Sequence, residues 1–343
     1  MNTAMLNKIQ FDQIREQVAH YVLGNHTKER LDATLPSSNL ATVSNWQQET
    51  KEARFILDSG QHVPFMGITR IDALFKKIAK GLILTPNELL EFADFIRSGQ
   101  LISRFFLKNA AMTPLLHQYT ATIPDLSKTT ELVYNKVRNG ELVDDASRNL
   151  RKVRNRNKEL DQKIQAKLQK ILSQSSYKEI IQERLIVKKD GHLTIPIKAS
   201  FKHRLNGNVV AQSNHGATVF IEPLAVATLN EQLIMSQAEE TAEVYQILSE
   251  LTGAIAEHYE EIDFLIEALT ALDLIFARAK YSREIGGITP SVNKSEHIYL
   301  HESRHPLLKK DAVPLNFRMG DYRGIVIAGP RLPQFSGTQD ETR

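Results

Sequence analysis

The chain of 343 residues contains no cysteine, so a disulfide framework, a thiolate metal site and a cysteine nucleophile are all excluded. It has a single tryptophan, and aromatic residues make up only 7%. No apolar run approaches the ~18 uninterrupted residues that a membrane span needs, so no membrane partner is expected. The opening residues, MNTAMLNKIQFDQIREQV, lack the apolar core of a signal peptide and read as a helix. Together these features fit a reduced, cytoplasmic location. Catalytic constellations are missing too: there is no Gly-x-Ser-x-Gly, His-Glu-x-x-His or paired-carboxylate arrangement. His192, His203 and His215 lie near one another, but without carboxylates at ligand spacing, so no metal site is expected.

The chain does have segregated charge. The net charge is only +3, yet nine Lys/Arg stand against two acids between Arg148 and Lys170. Between Glu222 and Asp273 there are twelve Asp/Glu and no Lys or Arg. Both stretches carry helical periodicity. Leu150, Val153, Leu160, Ile164, Lys167 or Leu168, and Ile171 recur at steps of three and four within residues 145–182. From 228 to 283, Val244, Leu248, Leu251, Ile255, His258, Ile262, Leu265, Leu269, Leu272 and Phe276 keep a 3.5-residue period, which predicts one long helix with a coiled-coil seam. His258 is then a packed polar residue on that seam. A basic outgoing helix and an acidic returning helix attract along their flanks, so the two are expected to pair as an antiparallel arm.

Residues 1–144 read as a helical core domain of short-to-medium helices. Thr85-Pro86-Asn87-Glu88 is a helix start with a capping box, and Gly99 is expected to end that helix. Phe65-Met66-Gly67 reads as a turn with exposed apolar residues. Between the arm helices, over 183–227, the period becomes that of strands. Two β-like runs flank Lys189-Asp190-Gly191, a strong hairpin signal, and residues 206–210 and 217–221 supply further strands. A small β module at the arm tip follows. Residues 286–330 read as the start of a nucleotide-binding α/β domain, with 324–330 a buried strand running into a glycine turn. Residues 331–343 are polar, lack periodicity and are expected to be disordered.

The tip is the best candidate for contact with a phosphate backbone. It carries Arg184, Lys188, Lys189, Lys198, Lys202 and Arg204 against one acid, Asp190, over residues 184–204. Clustered cations on a protruding sheet attract polyanions through counterion release without reading sequence; the alternative is a solvated polar face. For the basic helix 148–170 the structural alternative is preferred, because an acidic helix is available to pair with it. A phosphate-binding loop needs Gly-Lys-Ser/Thr after its strand, and Gly329-Pro330 leads instead into Arg331-Leu-Pro-Gln-Phe-Ser-Gly-Thr-Gln. Neither ATP nor Mg²⁺ is therefore expected as a cofactor of this chain.

The order of parts resembles the MutS family, specifically the bacterial anti-recombination branch that lacks the mismatch-reading domain. Five ordered blocks carry the resemblance: residues 193–198 (LTIPIK), 216–223 (GATVFIEP), 272–281 (LDLIFARAKY), 304–308 (RHPLL) and 325–330 (IVIAGP). The resemblance implies a mainly α fold: a helical core, a long antiparallel lever arm with a β-rich clamp at its tip, and the first strands of an ABC-type ATPase domain. It implies non-specific or branched-DNA binding through the clamp, in DNA repair and recombination control. It further implies a homodimer built through the ATPase domains, and for some members contact with ribosomes or rRNA. Complete members continue into Asn-Thr-Gly-Gly-Lys-Thr and end in a nuclease-like domain. This sequence departs at Arg331, so it is expected to be a truncated, non-catalytic, nucleic-acid-binding chain. The rival expectation is a structural module that docks on a ribosome or a protein partner.

Overall fold

A computed structural model describes residues 3–320, with 296 excepted. Eight helices come first: α1 (Thr3–Lys8), α2 (Phe11–Ala19), α3 (Asn25–Asp32), α4 (Leu40–Asp58), α5 (Ile71–Ala79), α6 (Pro86–Lys108), α7 (Pro114–Thr120) and α8 (Ser127–Lys136). A short hairpin, β1 (Val137–Arg138) and β2 (Glu141–Leu142), leads into the long helix α9 (Arg148–Ser173). Four strands follow: β3 (Val187–Lys189), β4 (His192–Lys198), β5 (Gly207–Gln212) and β6 (Thr218–Pro223). They form one antiparallel sheet in the order β3-β4-β6-β5. Helices α10 (Leu224–Ala256) and α11 (Tyr259–Glu284) return the chain, and β7 (Ile298–Ser303) pairs antiparallel with β8 (Leu315–Met319).

Most local signals hold. The Thr85 hydroxyl accepts from Glu88 N while the Glu88 carboxylate accepts from Thr85 N, closing the capping box at α6. Ser147 caps α9 by its hydroxyl alone, which accepts from Leu150 N at 2.9 Å. The Asp-Gly signal yields a two-residue hairpin in which Asp190 (φ 44°) and Gly191 (φ 85°) both occupy the left-handed region and Lys189 opposes His192. That matches the primed turn whose twist suits adjacent strands.

The predicted 228–283 helix requires correction, because it is two helices. The chain turns at Glu257 and His258, and His258 is half-exposed at that turn rather than on a seam. Only α10 pairs with α9. The seam residues Ile262, Leu265, Leu269, Leu272 and Phe276 instead join the body core with α4, α5 and α6. The physical reason lies in α11 itself. Ile266, Ala268, Ala271, Ile275, Ala277 and Ala279 are buried as well, so the helix is apolar on more than one face and belongs inside a body rather than along a single seam. The arm boundaries shift accordingly. Helix α9 stops at Ser173, and Ile180 and Ile181 already belong to the tip core, with Ile181 bridging to Ile197. Along α9 the buried choices are Leu168 and Leu172, with Ile171 only partly covered.

Gly99 does not end α6. It lies mid-helix at the crossing with α11, where a side-chain methyl would overlap Leu265; the small residue is used for close approach. Phe65 and Met66 are half-buried: the Phe65 ring meets Phe276 at 6.0 Å, and Met66 N donates to Ser98 Oγ at 3.0 Å. Of the segment predicted to begin an α/β domain, the described part is the β7–β8 hairpin; residues 324–330 and 331–343 lie outside the described residues.

Two large hydrophobic cores result, beside a small third cluster of Val18, Leu31, Ala277 and Tyr281. The body core gathers α4 to α8, α11 and the near ends of α9 and α10. The tip core joins Leu160, Ile164, Leu168 and Leu172 of α9 and Val226 and Leu233 of α10 to Leu193, Ile195, Ile197, Val219 and Ile221 of the sheet. Between them the arm is held by polar contacts, as opposite charge on the two helices predicts. Arg154 donates to Glu240 at 2.9 Å, Arg156 pairs with Glu239, Asn157 donates to Glu240 at 2.8 Å, and Ser147 and Asn149 donate to Glu243 at 2.6 and 2.7 Å. These pairs run in opposite directions along the two helices, so the arm is antiparallel.

Candidate nucleic-acid interface

The sheet register decides where the cations point. Residues directly opposite in an antiparallel pair share a face. Leu193, Ile195 and Ile197 of β4 and Val219 and Ile221 of β6 face the arm helices and form the tip core. Lys188 opposes Leu193, so it shares that inner side, and its ammonium lies 3.3 Å from Gln237 Oε1 of α10. The opposite face carries Lys189, Pro196, Lys198, Thr218 and Phe220. There the Lys189 ammonium sits 4.6 Å from the centroid of the Phe220 ring, a cation–π contact. Lys198 is half-buried at the strand end and is fixed by its backbone N–H, which donates to Ile180 O at 2.9 Å. Arg184, Lys202 and Arg204 are exposed in the irregular segments flanking the sheet.

So the six predicted residues do not form one patch. The register unites Lys189 and Lys198 on the outer face, sets Lys188, itself exposed, on the side of the arm helices and leaves the other three on bordering turns. The tip cations thus form no ion pair among the described residues, while Arg151, Arg154, Arg156 and Lys163 of the arm stretch are paired with carboxylates.

What the sequence reading missed is the joint holding the sheet to the arm. Glu222, buried at the end of β6, accepts from Asn230 Nδ2 at 2.7 Å and lies 2.7 Å from His192 Nδ1. Asn230, fully buried on α10, also accepts from Leu193 N and donates to Leu193 O, both at 3.1 Å. Burial pushes the Glu222 carboxyl up, but the hydrogen bonds from His192, Asn230 and Asn208 outweigh it and hold it below its ordinary value. His192 is therefore bound to Glu222, and His203 and His215 stay exposed. Among the described residues no cluster of three or more His, Asp or Glu is placed to hold a metal ion, and no helix is long and apolar enough to cross a membrane.

Similar fixing explains the block 272–281 inside the body. Asp273, fully buried, accepts from Leu23 N at 3.0 Å and Gly24 N at 3.1 Å, tying the start of α3 to α11. Arg278 donates to buried Glu49 at 2.9 Å, and Glu49 also accepts from the Tyr119 hydroxyl at 2.7 Å and from Asn45 at 2.8 Å. Burial and the neighbouring Glu49 carboxylate push the Tyr119 hydroxyl up to about 12.

A helical body joined through a two-helix arm to a small cationic β module defines the class of this protein: an architecture in which body and β module have separate cores. No family model matches the chain. It is 35% identical over 338 residues to a Geobacillus protein (strain WCH70), 32% over 332 residues to one from Pelotomaculum thermopropionicum, and 34% over 337 residues to one from Geobacillus thermodenitrificans. All three bear the name endonuclease MutS2, and in each case 96% of this chain is matched. The chain belongs to the MutS family, in its MutS2 branch. It spans less than half of those relatives, 42–43% of their length.

Proposed function

We propose that this chain binds the phosphate backbone of nucleic acid, without sequence readout, through the β module at the end of its arm, which acts as a clamp carried by a lever. The carrying observation is the set of six tip cations, none of which forms an ion pair among the described residues, at the end of an arm whose Arg151, Arg154 and Arg156 are each held by a carboxylate. Lys189, Lys198, Lys202, Arg184 and Arg204 are the phosphate contacts; Lys188 reaches the backbone only by leaving Gln237. Duplex or branched DNA is the substrate class, in keeping with a role in DNA repair and recombination control for a MutS2-type protein. The chemistry is electrostatic: cations displace counterions condensed on the phosphates, so affinity falls steeply with salt. The endonuclease in the relatives' name is said of chains more than twice as long, and this reading makes the described part a gripping element rather than a cutting one.

The test is fluorescence anisotropy of labelled duplex and four-way-junction DNA across a salt series, for the wild-type chain and for Lys189→Glu/Lys198→Glu/Lys202→Glu. Three lost phosphate contacts lower the log–log salt slope by roughly 2 to 3 and the affinity by more than about tenfold. Two unrelated duplex sequences bind equally. An unchanged slope in the folded triple variant overturns the assignment.

A further inference from the structure

The pairing of α9 with α10 uses only part of the charge on α9. Of its nine Lys/Arg, Arg154 and Arg156 alone meet carboxylates of α10. Arg151 is held by Asp145, Lys163 lies 4.0 Å from Glu159, and the Lys167 ammonium donates to Ala225 O at 3.0 Å. Arg148, Lys152, Lys158 and Lys170 are exposed and form no ion pair among the described residues.

These cations are ordered along the helix. At about 100° per residue, Arg148, Lys152, Lys163 and Lys170 fall within about 60° of one another, on the side turned away from the buried Val153, Leu160, Ile164 and Leu168. Lys158 stands to one side of this sector, and Glu159 is the one acid inside it. At 1.5 Å per residue the stripe runs for about 33 Å from Arg148 to Lys170. One turn of duplex DNA is about 34–36 Å, the interval at which a strand brings its phosphates back to the same side. Leu150 belongs to the body core and Leu160 to Leu172 to the tip core, so the stripe reaches from the edge of the body to the base of the β module.

The other side of the arm differs in sign. Helix α10 has no Lys or Arg over its whole length, and its Glu231 is exposed and forms no ion pair among the described residues. A polyanion is therefore attracted to the α9 side of the arm and repelled from the α10 side.

We infer that duplex DNA lies along the outer face of α9 with its axis parallel to the arm, Arg148 and Lys170 meeting phosphates one helical turn apart and Lys152 lying beside Arg148. For the identity of its ligand this contact rests on the reading of the β module as a nucleic-acid grip. To that reading it adds a second surface, confined to one side of the arm, and a direction for the duplex.

Because the chain has no cysteine, a cross-linker can be placed at one position at a time. His203→Cys in the β module, Asn155→Cys on the α9 stripe and Ala242→Cys on α10 all replace exposed residues and keep every Lys and Arg. Each variant is alkylated with 4-azidophenacyl bromide, mixed with end-labelled 30-base-pair duplex at low salt and irradiated. The His203→Cys and Asn155→Cys chains are each expected to cross-link at least fivefold more than Ala242→Cys. Cross-linking by His203→Cys alone overturns the α9 contact and leaves the tip reading standing. Cross-linking by Asn155→Cys alone overturns the tip reading and leaves the α9 contact. Ala242→Cys cross-linking as strongly as Asn155→Cys overturns the α9 contact, and no cross-linking at all overturns both. The second readout is Arg148→Glu/Lys152→Glu/Lys170→Glu, all at exposed positions, which should lower the log–log salt slope for the same duplex by roughly 2 to 3. An unchanged slope in the folded variant overturns the α9 contact.

Discussion

The body and the stretch of arm between the two cores are both held by charge, but in opposite ways. In the body, Glu49 is 2% exposed and is met by Arg278, Tyr119 and Asn45, and Asp273 is fully buried against two backbone N–H groups. In the arm, the Arg154–Glu240 and Arg156–Glu239 pairs stay in contact with solvent, with no continuous apolar seam beneath them. Buried charges position elements rigidly, because removing one partner strands the other in low dielectric. Solvated pairs choose a partner helix at small energetic gain. The body is therefore the fixed end and the arm the compliant one, which suits the proposed grip on a polymer.

The sharpest break of this comparison is Arg278→Met, which strands the Glu49 carboxylate. It should cost about 3–5 kcal/mol in urea denaturation followed by far-ultraviolet circular dichroism. Next comes the joint between sheet and arm. Asn230→Ala leaves Leu193 N–H, Leu193 C=O and Glu222 without their buried partner, for about 1–3 kcal/mol. That loss should show as faster amide exchange across β3 and β4, with α4 and α11 unchanged. Smaller is the arm coupling: a double-mutant cycle on Arg154 and Glu240 should give under about 1 kcal/mol and shrink in high salt.

The smallest effect at neutral pH is the titration of Glu222. Its folded carboxyl lies below the ordinary 4.5, so its contribution to the tip is complete above that value and is lost as pH falls through the lowered one. Amide exchange at the tip, corrected for intrinsic rates, should rise on acidification below 4.5. Glu222→Gln should remove that pH step while leaving the body's response intact.

Much of this was legible in the chain. The Asp190-Gly191 turn, the Thr85 capping box and the opposite charges of α9 and α10 are local signals, and local chemistry realises each of them. The helix break at Glu257–His258 was not legible from a 3.5-residue period, because a central body helix satisfies the same period while burying other faces too. The alanines and isoleucines of α11 between seam positions were the available sign. Gly99 misled for a related reason: a glycine that ends a helix and a glycine that lets two helices cross look alike without the partner, here Leu265. At the tip, the cation count was legible, but the assignment of Lys188 and Lys189 to opposite faces needed the register. The Glu222–Asn230–His192 joint joins residues 8 to 38 positions apart, and no spacing rule announces it.

The claim that the tip is the gripping surface is tested most directly by hydrogen–deuterium exchange of the chain with and without a saturating 30-base-pair duplex at low salt. The account predicts slowed exchange over residues 187–223, lost on raising the salt, with α4, α6 and α11 unaffected. Protection confined to the body, or none at a duplex concentration that shifts anisotropy, would contradict it.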